Sequence, residues 1–392
     1  MPQSLPQTRN VHQAADRLTP KNLYRQHAFS ASNAFNAFRS RSIARRANAR
    51  AASPRSATAG EATTAPDRSH RNQRNHRSPN HSRLATWARW ALRATGVVAL
   101  AAWLSGCSAV GVLNALTPSA SETVQTGVAY GTLPRQQLDI YQPKGTAPDG
   151  GWPVVVFFYG GSWNTGERAD YQFVGEALSA RGVLTLVADY RLYPEVRYPD
   201  FLVDSAQALA WGLSHAAQWG GNPQRVFVMG HSAGAYNAAM LALDARWLSA
   251  TGHAPSELAG WIGLAGPYDF FPTDNPDAQP VFFHPNYPAK AQPIDWIAST
   301  APPTFVGAPK NDALVSAERS TQQLGHKLQA AGVAVTLKSY PRASHVTLVG
   351  AFGWPLRWIA PVLNDVDHFI HTTPPAQPPH PEQPVGRAPG KP

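Results

Sequence analysis

The chain reads as an α/β protein with a mostly parallel central sheet and helices on both faces. Three observations point there. From about residue 125 to 372, apolar segments of strand length alternate with segments of helix length. VVVFFYG (154–160) is apolar throughout, as expected of a strand buried on both faces. GHSAG (230–234) falls between an apolar run and a helical stretch, where a sharp strand-to-helix turn has a mechanical purpose.

In chain order the predicted strands are QLDIYQP (137–143), VVVFFYG (154–160), VLTLVADY (183–190), RVFVMG (225–230), LAGWIGLAG (258–266), PTFVGAP (303–309) and AVTLKSY (334–340). The helical stretches between them start at Asp170, Phe201, Ala233 and Ser316, and the third is read as one helix through Leu248. Strand and helix in alternation imply parallel strands with crossover helices. The last twenty residues, 373–392, hold eight prolines and read as an extended tail.

Charge divides the chain at its only cysteine, Cys107. Residues 1–106 carry 17 Lys and Arg against 3 acidic residues, and residues 107–392 carry 17 against 21. The net +10 thus belongs to the N-terminal segment. Residues 1–83 are rich in Arg, Ala, Ser and Asn with few large aliphatics, too little apolar surface to offset ordering entropy, and they read as a disordered basic segment or untranslated upstream sequence. His70, His76 and His81 could hold a metal or touch a nucleic acid there, but a solvated tail is the preferred reading, so neither partner is expected.

Residues 84–106 follow Arg83 with Arg89 and Arg93, an apolar run from Ala94 to Leu104, and small residues before Cys107. The run is short for a membrane span, which needs about 20 residues. LSGC (104–107) resembles the lipobox of bacterial lipoproteins, which implies cleavage before Cys107, acylation of its sulfur and a lipid anchor. Ser108 after the cysteine favours, by that resemblance, an outer-membrane protein facing the periplasm. Residues 107–124 are then a linker and 125–372 the folded domain.

The chemistry begins at Ser232. A serine hydroxyl is a weak nucleophile and needs a base, and the base needs an orienting group. Asp312 follows the strand PTFVG and His345 follows AVTLKSY, both at carboxyl ends of strands where open α/β sheets build their sites. Asp269 in GPYDF is the rival acid. After the strand VVVFF, Tyr159-Gly160-Gly161-Ser162-Trp163 is placed to supply backbone donors for an oxyanion. The N–H groups of Gly161, Ser162 and Ala233 are assigned to that hole. Gly161 to Gly166 does not form a phosphate loop, because Glu167 stands where Lys is needed.

With these motifs in order, residues 125–370 resemble an α/β-hydrolase of the carboxylesterase kind, near the hormone-sensitive lipase and kynurenine formamidase groups. DYRLYPE (189–195) resembles a segment that supports the site in those groups, and PIDWIASTAPPTFVGAPKNDALV (293–315) resembles their approach to the acid. Tyr159 departs from the histidine usual at the head of the loop. The resemblance implies a Ser232–His345–Asp312 triad acting on a small ester through an acyl-enzyme, with no metal or organic cofactor. An amide or formamide substrate, or a binding protein that has kept the fold, are the alternatives. The insertion at 270–292, rich in Pro and aromatics, either lines the pocket or is a plain surface loop. Oligomeric state is not legible.

Overall fold

The computed structural model describes residues 109–376. The expectations for residues 1–83, the signal at 84–106, Cys107 and residues 377–392 lie outside them. The sheet has eight strands: β1 (Ser121–Ala129), β2 (Gln137–Pro143), β3 (Trp152–Phe158), β4 (Leu184–Ala188), β5 (Gly221–His231), β6 (Gly260–Leu264), β7 (Thr304–Pro309) and β8 (Val335–Tyr340). Their order is β1-β2-β4-β3-β5-β6-β7-β8. β2 pairs antiparallel with β1 and β4, and every other neighbour is parallel. All residues of β3, β4, β6 and β7 are buried, which is why these strands show no alternation in the sequence.

The helices are α1 (Ala109–Ala115), α2 (Gln172–Ser179), α3 (Asp200–His215), α4 (Ala233–Leu243), α5 (Ala245–Ser249), α6 (Gln323–Ala330), α7 (His345–Gly350) and α8 (Val362–Thr372). Successive strand residues point to opposite faces, and both faces are covered. Gly212 of α3 comes so close to Val156 of β3 that a Cβ there would lie 2.7 Å from its Cγ2. Phe369 of α8 meets the Phe227 ring of β5 at 6.0 Å, and Phe227 pairs with Val155, the residue before Val156.

The structure corrects the sequence reading in several places. Residues 107–124 are not simply a linker: α1 and the start of β1 occupy 109–124, and the domain's first elements precede residue 125. β1 escaped notice because only Ser121 of its nine residues is buried, so SETVQTGVA has no apolar face. The stretch read as one helix from Ala233 to Leu248 breaks at Asp244, whose extended backbone and side chain, accepting from Arg246 N at 3.2 Å, start α5. The first four residues of the expected tail continue the domain, with Thr373 buried and Ala376 N donating to Gln224 O at 2.7 Å.

Chain order turns back at β3: β4 lies on one side of it and β5 on the other. A crevice opens at the carboxyl ends of strands at such a switch point. Phe158 at the end of β3 pairs with Gly230 in β5, so the loop after Phe158 and the turn at Ser232 are neighbours there.

Candidate active site

Ser232 sits between β5 and α4 at φ 55° and ψ −122°, a strained conformation for a residue with a side chain. The two flanking glycines make the turn possible. A Cβ on Gly230 would lie 2.1 Å from Gly234 O, and one on Gly234 would lie 2.0 Å from Phe158 O. The turn is fixed by Ser232 N donating to Leu264 O at 2.9 Å and by Ala235 N and Tyr236 N donating to Ser232 O. Its hydroxyl is thereby lifted above the sheet, at the N-terminus of α4.

His345 Nε2 lies 2.8 Å from Ser232 Oγ, and its Nδ1 lies 2.7 Å from Asp312 Oδ2. Three residues that follow three different strands, β5, β7 and β8, thus form one hydrogen-bonded chain. His345 is the first residue of α7, whose N-terminus is capped by Ser344 accepting from Thr347 N. The other carboxylate oxygen of Asp312 takes Leu314 N at 2.9 Å and Val315 N at 3.2 Å. Burial works against the charge on Asp312. The hydrogen bond and charge of His345, with the two backbone N–H groups, outweigh it and hold the carboxyl below the usual carboxylate range. The rival acid, Asp269, is elsewhere in the network: its Oδ1 accepts Arg319 Nη2 at 2.9 Å, and the pair forms part of the pocket wall.

The pocket encloses about 280 Å³ and is lined by Ser162, Ala233 and His345 around Ser232. Gly161, at φ 129° and with its carbonyl taking the N–H groups of Asn164 and Thr165, shapes the turn that leads to Ser162. Ser162 and Trp163 also have positive φ, 49° and 59°, so the loop is wound tightly beside the serine. The 270–292 insertion lines the pocket through Phe270, Pro272, Thr273, Asn275 and others. It is held there by aromatic packing: Trp163 meets Phe282 edge-on at 4.8 Å and stacks on Phe270 at 6.0 Å. Asn275 also donates to Ser162 Oγ at 3.2 Å.

Tyr159 does not face the pocket. Fully buried, it stacks between Tyr171 and Tyr190, donates to Asp189 Oδ1 at 2.8 Å and accepts from Arg135 at 2.7 Å. Asp189 also binds Arg168 through both backbone and side chain. Arg191 forms a three-point contact with buried Asp204. The DYRLYPE segment thus ties the loop after β3 to the β1–β2 edge and to α3.

Sequence reasoning missed His231. It is buried, and its Nε2 donates to the His345 carbonyl at 2.9 Å, so that nitrogen carries the proton. Burial first, then the neighbouring His345, pushes its pKa down to about 3. The signal that could have found it is its place inside GHSAG, next to Ser232. Among the described residues no cluster of three or more His, Cys, Asp or Glu side chains is arranged to hold a metal ion.

Comparison with known proteins places this geometry. The strand order and the serine turn are those of the α/β-hydrolase fold, and this chain has it. Solved structures of that fold include a Pyrobaculum calidifontis esterase (TM-score 0.55, 20% identity, 67% of this chain and 88% of that one) and a carbohydrate esterase from gut microbiota (0.53, 19%, 65% and 98%). Residues 138–328 match the BD-FAE family. Among curated relatives, the isoprenylcysteine alpha-carbonyl methylesterase of Arabidopsis thaliana is 28% identical over 58% of this chain and 58% of its own length. Esterase LipC of Mycobacterium tuberculosis is 30% identical over 49% and 52%. The chain therefore spans little more than half the length of these two relatives.

Proposed function

We propose that this protein is a serine hydrolase that cleaves small carboxylic esters, with Ser232 as nucleophile, His345 as general base and acid, and Asp312 as the group that orients His345. The carrying observation is the continuous hydrogen-bonded chain from Asp312 Oδ2 through His345 to Ser232 Oγ. His345 takes the serine proton as Ser232 Oγ attacks the ester carbonyl. The carbonyl oxygen becomes an oxyanion, for which the N–H groups of Gly161, Ser162 and Ala233 are the donors. The alcohol leaves with the proton from His345, and water, activated by the same histidine, hydrolyses the acyl-enzyme. Asp312 stays ionised and stabilises the imidazolium. The names of the curated relatives, an esterase and a methylesterase, support ester over amide. A pocket of about 280 Å³ supports a short acyl group, since clefts for drug-sized ligands begin near about 300 Å³.

The proposal extends to location: the signal-like segment and LSGC support an acylated Cys107 holding the enzyme at a bacterial envelope membrane. Among the described residues no helix is long and apolar enough to cross a membrane.

The test is covalent labelling by a fluorophosphonate together with hydrolysis of p-nitrophenyl acetate and butyrate. Ser232→Ala should retain its circular dichroism spectrum, lose labelling and lose at least about 10⁴-fold in kcat. Turnover near the wild-type rate in that variant would overturn the mechanism.

A further inference from the structure

Trp354 and Trp358 are 62% and 72% exposed, and among the described residues they are the only tryptophans left so open. They lie in the segment between α7 and α8, on either side of Arg357, whose Nε donates to Phe352 O. An exposed indole carries a large apolar ring and one N–H donor, a combination suited to the boundary between water and lipid.

Their place in the fold gives this exposure a direction. Leu113 of α1 is buried against the start of the same segment: a Cβ on Gly353 would lie 2.4 Å from Leu113 Cδ1. Asn114 fixes α1 from another side, donating to Ala169 O at 2.9 Å and accepting from Phe173 N at 3.0 Å. α1 is therefore a seated part of the domain, packed one residue before Trp354. It begins two residues after Cys107, and two residues of chain span at most about 7 Å. Leu116, just past its end, is 53% exposed.

We propose that Trp354 and Trp358 form a bilayer-contact patch that seats the hydrolase domain on the lipid surface beside its N-terminal tether. The proposal rests on the reading of Cys107 as a lipidated residue for the tether, while the patch is carried by the described structure. A lipid at Cys107 enters the bilayer close to α1, and the segment packed on α1 then presents two indoles to the headgroup region. Arg357 between them adds a cation suited to lipid phosphates. The acyl chains hold the protein at the membrane, and the tryptophans fix which face of the domain meets it.

The experiment is hydroxyl-radical footprinting of the full chain, read by mass spectrometry, with and without vesicles of phosphatidylethanolamine and phosphatidylglycerol. Oxidation of Trp354 and Trp358 should fall about threefold or more with vesicles. Phe283, 40% exposed on the 270–292 insertion, serves as the control and should be unchanged. In the Cys107→Ser background, Trp354→Ser with Trp358→Ser should lower co-flotation with the same vesicles about tenfold. Equal oxidation with and without vesicles overturns the patch. So does protection that appears without lipid as protein concentration rises, because it would mark a contact between copies of the chain. Cys107→Ser protein that floats as well as wild type refutes the tether alone, and protected tryptophans in that variant still support the patch.

Discussion

The chemistry at the level of single residues depends on which nitrogen of which histidine carries a proton. His231 is held neutral by burial, and its Nε2–H points at the carbonyl of His345. It therefore positions the backbone of the proposed base from the same turn that carries the proposed nucleophile, which couples the Ser232 and His345 segments. A testable consequence lies in stability. In the unfolded chain this histidine takes a proton below about pH 6.5, whereas in the fold it does so only near pH 3. Between those values the unfolded state binds more protons, so stability falls as pH falls, by up to about 1.4 kcal/mol per pH unit. His231→Gln keeps a donor of similar reach and removes the titration. Urea denaturation should show wild type losing about 1 kcal/mol more than His231→Gln between pH 6 and pH 5, and equal losses would show that His231 is not buried neutral. Ser232, His345 and Asp312 were legible as single residues because each follows a strand at its carboxyl end. His231 was not, because what distinguishes it is a carbonyl 114 positions away in the chain.

At the scale of elements, the close approach of β3, β5 and α4 makes the site, and it depends on glycine. Gly234 packs with no room for a side chain: a Cβ would sit 2.0 Å from Phe158 O and 2.5 Å from Tyr159 O. Both obstacles are backbone atoms at the end of a fully buried strand, which cannot swing aside as a flexible side chain could. Gly234→Ala should cost about 3 kcal/mol or more in a urea melt and should displace the loop bearing Ser162. A melt within about 1 kcal/mol of wild type, the ordinary cost of a core substitution, would mean that the strand and helix separate more readily than their packing implies. Elements were legible where burial is uniform. Each of the seven predicted strands is present within a few residues; β3, β4, β6 and β7 show as apolar runs because they are covered on both faces, whereas in β8 only Tyr340 is buried. β1 and α1 were not legible: one has a single buried residue among nine and the other is seven residues long. The seating of the 270–292 insertion was also unreadable. It follows from contacts of Phe270 and Phe282 with Trp163, more than a hundred residues earlier in the chain.

On the scale of the whole molecule, the proposed functions of anchoring and catalysis fall on different parts of the chain. The residues around Ser232 are all drawn from 162–345, whereas the proposed acylation site precedes the first described helix. Since no residue lining the pocket precedes Ser162, the two proposed roles should separate cleanly under mutation. Cys107→Ser should lose incorporation of radiolabelled palmitate and move from the membrane to the soluble fraction. Once solubilised, it should hydrolyse p-nitrophenyl butyrate with a kcat/KM within about twofold of wild type, since substitutions remote from a site leave its transition-state contacts in place. Ser232→Ala should do the reverse, remaining acylated and membrane-bound but inactive. A large fall in kcat/KM for detergent-solubilised Cys107→Ser would join the two functions instead. It would mean that the path from α1 through Leu113 to Gly353, three residues beyond the end of the helix that begins with His345, transmits anchoring to the catalytic base.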